Sequence, residues 1–113
     1  MQLIYSPIEI LNSMKRSIDQ EKISKNALSV ISKLNKEGFE AYLVGGCIRD
    51  LLANNVPKDF DIATNAHPSD IRKIFRNSRI VGKRFQIVHV RFEREIIEVS
   101  TFRRLGPKVI VKL

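Results

Sequence analysis

The sequence has a single cysteine, no long apolar run, and few acids for its length. Cys47 stands alone, so no internal disulfide forms, and with only His67 and His89, both distant in sequence, it builds no zinc site. It reads as a small buried hydrophobe, cysteine being among the residue types most often found inside. Nothing approaches the roughly 20 apolar residues of a membrane helix. The opening "MQLIYSPIEILNSMKR" has no basic stretch ahead of an apolar one and no small-residue cleavage site, so it does not read as a secretory signal. The expectation is a soluble cytoplasmic protein without a membrane partner. Repeats, low-complexity tracts and internal linkers are also lacking, and 113 residues suffice for one compact domain with a modest core, not for two.

What the chain does have is positive charge. Its 20 basic residues outnumber 12 acidic ones, for a formal charge of +8. From Met1 to Pro57 the count is 7 basic against 6 acidic, and from Lys58 to Leu113 it is 13 against 6, so nearly all the excess lies in the second half. Such a balance favours a polyanionic partner such as nucleic acid or an acidic membrane surface, although a basic surface also serves solubility. Arg72, Lys73, Arg76, Arg79, Lys83 and Arg84 crowd one short span and are the candidate residues for binding a nucleic-acid backbone, with a solvated helix face plus a charged turn as the alternative.

Residues 1–22 are polar, without a clear period, and are interrupted by Pro7; they read as a loose lead-in, with the domain proper at 23–113. Beyond them, Ser24 caps a helix whose apolar Ala27, Val30, Ile31 and Leu34 share one face, and Gly38 stops it. "AYLV" is a short strand broken by Gly45 and Gly46. "CIRDLLANN" is a helix ending by Asn54 and Asn55, "DFDIAT" a second strand, and "HPSDIRKIFRN" a helix begun by Pro68. From Arg79 to Phe102, two apolar runs separated by "RFERE" predict an antiparallel pair of strands. The fold class is α/β (α+β), a small mixed sheet covered mostly on one side by helices.

Two motifs lie close together in this pattern. A strand that ends in Gly45-Gly46 and turns into a helix offers backbone N–H groups at the positive end of the helix dipole, and glycine lets a bulky anion approach: a phosphate cradle, unless the glycines serve only a tight turn. In "DFDIAT" alternation puts Asp59 and Asp61 on one face and Phe60 and Ile62 on the other. Two carboxylates so close repel, and hard oxygen ligands of this kind suit Mg²⁺ shared with substrate phosphates; an isolated pair would be read as a solvated strand edge. A third carboxylate from a neighbouring strand is the usual complement. Glu98 in "IIEVSTF" is the candidate, with an ordinary solvent-facing strand residue as its alternative. Together these parts are what two-metal phosphoryl or nucleotidyl transfer requires.

"LVGGCIRDLL" followed by "KDFDIAT" resembles the signature of the class II tRNA nucleotidyltransferase and bacterial poly(A) polymerase family, within the DNA polymerase beta superfamily. "ISKNALSVISKLNKEGFEAYLVGG", "RKIFRNSRIVGKRFQIVHV" and "EIIEVSTFR" resemble the head domain of the bacterial poly(A) polymerase branch, and the likeness covers roughly Ile23 to Arg103. The resemblance implies a catalytic head that binds ATP, holds Mg²⁺ on Asp59 and Asp61, and adds adenylate to RNA 3′ ends. It also implies that Gly45, Gly46, Arg49 and Asp50 shape the triphosphate site, Arg49 either touching phosphate or fixing the turn by pairing with an acid. In the family the head continues to a motif resembling R-R-D-F-T-x-N and then to neck and body domains, none of which "FRRLGPKVIVKL" contains. The expectation is therefore a truncated head, weak or inactive alone. A non-catalytic nucleotide- or RNA-binding relative and the head of a tRNA CCA-adding enzyme are the alternatives.

Overall fold

Ser24 opens the first helix as its pattern requires. Its side chain accepts the Ala27 N–H at 3.2 Å, and Ala27, Val30, Ile31 and Leu34 of α1 (Lys25–Lys36) are all buried. Gly38, at φ +90°, takes the left-handed conformation that stops the helix. The structure, a computed structural model, describes residues 18–102 and the main chain of 110–111. Residues 1–17 of the expected lead-in lie outside it. Residues 18–22 are not loose, because Ile18 is already packed in the core and Asp19 caps a single 3₁₀ turn over Gln20–Lys22.

The strands are β1 (Ala41–Val44), β2 (Phe60–Thr64), β3 (Ser78–Val81), β4 (Ile87–Arg91), β5 (Ile96–Thr101) and β6 (Ile110–Val111), ordered β3-β4-β5-β2-β1-β6 in one sheet. β2 and β5 run parallel, and the other neighbours are antiparallel. The stretch expected to form two strands therefore forms three. Gly82, at φ +97°, folds the chain back after Val81, so β3 and β4 make a hairpin of their own before β4 and β5 make the next. The helices α2 (Gly46–Leu52) and α3 (Pro68–Ile74) sit where the sequence puts them, though each ends sooner. Asn54, at φ +62°, turns the chain beyond α2, and Lys22 Nζ donates to both its main-chain and side-chain oxygens.

Alternation sorts the sheet into two faces. Leu43, Phe60, Ile62, Val88, Val90, Ile97 and Val99 are buried on the face that α1 and α3 cover. Each such side chain is worth about 1.5–3 kcal/mol in burial. The other face carries Tyr42, Val44, Asp61, Glu98, Ser100, Ile87, His89 and Arg79, and Ile48, Arg49 and Leu52 of α2 border a cavity on it. The helix layer is tied to the strand ends by hydrogen bonds. Ser24 Oγ and Asn26 Nδ2 both donate to Glu95 in the β4–β5 turn, and Thr101 Oγ1 donates to the Ala66 carbonyl at 2.6 Å. Among the described residues no helix is long and apolar enough to cross a membrane.

Candidate active site

Asp61 is where the geometry converges. Register places it between Val44 of β1 and Glu98 of β5. Because paired residues in a sheet project to the same side, the two carboxylates stand next to each other on the less covered face. The row continues through His89 of β4 to Arg79 of β3. His89 Nε2 lies 3.4 Å from Glu98 Oε1, so the glutamate has the imidazole on one flank and Asp61 on the other.

The glycine turn closes on the same aspartate. Gly45 has φ +81°, and a Cβ there would lie 2.9 Å from Asp61 Oδ2. Two separate constraints, the left-handed backbone and the approach of a carboxylate, thus require glycine at this position. Gly46 is different, since its φ is not positive and a Cβ built on it meets nothing within 4 Å. Space, not backbone angle, is what Gly46 provides. Gly45 also gives no side-chain cap to the first turn of α2.

Two clefts open on either side of Asp61. One, of about 480 Å³, runs between Gly45, Ile48 and Arg49 on one wall and Glu98, Ser100 and Ile87 on the other. The second, of about 450 Å³, is lined by Gly46, Asp50, Lys58 and Asp59. Asp59 lies just ahead of β2 and is exposed, whereas Asp61 is half-buried inside the strand. The expected sites are therefore gathered in one region, with Arg49 on the Glu98 side and Asp50 on the Asp59 side. Among the described residues no three His, Cys, Asp or Glu side chains converge on a point that would hold a metal ion alone. A pair of aspartates with a glutamate one strand away is instead a donor set that a hard cation completes with oxygens from water or substrate.

Cys47 behaves as a hydrophobe: it is buried, its Sγ donates to the Val44 carbonyl at 3.2 Å, and burial pushes its thiol pKa up. The basic residues divide. Arg72 and Lys73 are in the last turn of α3, on the helix layer, and Arg76 follows in the turn, while Arg79 lies on the far side of the sheet in the row of Glu98 and Asp61. Lys83 and Arg84 sit in the exposed β3–β4 loop. Sequence reasoning did not find His89 as a neighbour of Glu98. The alternation of "IVHV" gave its face, but only the β4–β5 register gives its partner.

Residues 41–109 match the family described as the Poly A polymerase head domain. The chain belongs to that family. It is 56% identical over 94 residues to poly(A) polymerase I of Salmonella typhi, covering 83% of this chain and 20% of that protein. A CCA-adding enzyme of Listeria monocytogenes is 48% identical over 80 residues, covering 71% of this chain and 20% of the relative. Among solved structures, the CCA-adding enzyme of Bacillus stearothermophilus in complex with CTP superposes with a TM-score of 0.64 at 39% identity, over 77% of this chain and 22% of that one. The head domain described here spans about a fifth of the length of these relatives. Its fold is the nucleotidyltransferase fold of the CCA-adding enzymes, the small mixed α/β sheet expected from the sequence.

Proposed function

We propose that this head domain carries the catalytic centre of a poly(A) polymerase-like enzyme that transfers AMP from ATP to RNA 3′ ends, and that Asp59, Asp61 and Glu98 are its carboxylates. The observation that carries the reading is the in-register pairing of Asp61 with Glu98 beside a glycine turn on which Asp61 rests. Mg²⁺ held by Asp59 and Asp61 would supply charge neutralisation at the phosphates and a more acidic attacking hydroxyl. The protein's own part is positional. Gly46 leaves room for phosphate oxygens to reach the first turn of α2, and Arg49, exposed on the cleft wall, lies within the same cavity as Asp61 and Glu98 to meet the negative charge of the phosphates. Asp50 and Lys58 border the Asp59 side, where the triphosphate would enter. The RNA 3′ end would approach over the sheet face from β3, past Arg79 and His89, toward Glu98. A cytoplasmic setting accords with such a substrate.

Primer extension tests the reading. The protein is incubated with an oligoribonucleotide, Mg²⁺ and each labelled nucleoside triphosphate in turn. Selective incorporation of AMP supports it, while incorporation of CMP instead supports a CCA-adding enzyme, the second reading that the Listeria relative favours. Metal-dependent ATP binding without extension, in a complete enzyme containing this head, would leave a non-catalytic binding domain.

A further inference from the structure

The loop between β3 and β4 carries a feature that the catalytic reading does not use. Phe85 is 81% exposed, the most exposed large hydrophobic residue among those described. It is preceded by Lys83 and Arg84, both exposed, and the Arg84 guanidinium sits 5.8 Å from its ring centroid. The loop is short and closed. Gly82 has φ +97°, and a Cβ there would meet the Phe85 carbonyl oxygen at 2.5 Å, so the backbone at Phe85 lies over Gly82. An apolar ring presented to solvent by a tight turn gains nothing from the core. Two residues on, Ile87 lines the cleft that holds Asp61 and Glu98, on the wall opposite Gly45 and Arg49. Val81, across from Ile87 in the hairpin, is also exposed and faces the same side.

We infer that Phe85 is a stacking platform for a base of single-stranded RNA near the 3′ end, with Lys83 and Arg84 on the adjoining phosphates. An exposed aromatic directly after two cations matches the two demands of a single strand, a π-face for the base and positive charge for the backbone. Arg84 already engages the ring as a cation does, which leaves the ring's other face for a base. The place of Phe85 two residues from Ile87, which lines the cleft wall opposite the glycine turn, suits the primer and not the incoming triphosphate. This inference rests on the RNA reading above, and it adds a residue and a mode of contact.

The chain contains no tryptophan, so Phe85→Trp introduces a sole indole reporter. Adding a short oligoadenylate should quench its fluorescence, and an abasic oligomer of equal length should quench it far less. In the wild-type background, Phe85→Ser should weaken oligoadenylate binding by about ten-fold. Phe85→Leu, which keeps apolar bulk but no π-face, should lose most of that affinity too. Melting curves that match wild type establish that the variants fold. If wild type binds the RNA but Phe85→Ser binds it equally well and the indole is not quenched, the platform is overturned while the RNA reading stands. If wild type binds no RNA at low salt, both fail.

Discussion

Gly45 and Gly46 are adjacent and have opposite reasons to be glycine. Gly45→Ala places a methyl in a left-handed backbone and against the Asp61 carboxylate, so the domain should lose about 1 kcal/mol or more, read as a lower melting temperature. Gly46→Val should leave folding within about 1 kcal/mol of wild type, its side chain entering open space, yet weaken Mg²⁺-ATP binding by blocking the approach to the turn. A folded Gly46→Val protein with unchanged ATP affinity would refute the cradle. Asp61→Asn, nearly isosteric, should keep the fold while reducing nucleotidyl transfer by about a hundred-fold or more in a complete enzyme. Near-normal turnover would remove Asp61 from the metal site. Cys47 supplies a control, since its buried thiol with a raised pKa should resist alkylation at pH 8 until the protein unfolds. Because the folded thiol's pKa lies above the unfolded one, its contribution to stability is present below the ordinary thiol range and is lost as pH rises through the raised value.

Among the elements, α1 was legible because four apolar residues at helical spacing, a capping serine and a stopping glycine all point the same way. Ser24→Ala removes both the cap on Ala27 and the donation to Glu95, and should cost about 1 kcal/mol, measured by denaturant titration. "DFDIAT" was legible as a strand for a similar reason, alternation being strong where Phe60 and Ile62 enter the core, although β2 begins one residue later than expected, leaving Asp59 ahead of it. β3 was not. "SRIV" has only two apolar residues, one of them exposed, and becomes a strand because β4 offers it a partner. The candidate site divides in the same way: each carboxylate could be named from its local pattern, whereas the juxtaposition of Asp61 and Glu98 depends on a parallel pairing of distant segments that no local pattern encodes.

At the scale of the whole molecule, charge and fold act together. The second half supplies most of the positive surplus, but the basic residues split between the helix layer and the sheet face, so RNA affinity should not depend on them equally. Arg79→Ala, Lys83→Ala and Arg84→Ala should each weaken RNA binding more than Arg72→Ala. With three phosphates neutralised, the plot of log affinity against log salt should have a slope of about −2. An affinity indifferent to salt would contradict the assignment of this surface.

The parallel pairing of β2 with β5 also sets the order in which a growing chain acquires its chemistry. The ribosome releases the glycine turn, Asp59 and Asp61 well before Glu98, and until β5 emerges β2 keeps one unpaired edge. Closing that edge and completing the carboxylate set are a single event. A chain halted before β5 would lack Glu98 and keep that edge open, so the docking of β5 is at once a safeguard against aggregation and the step that brings the proposed carboxylates Asp61 and Glu98 side by side.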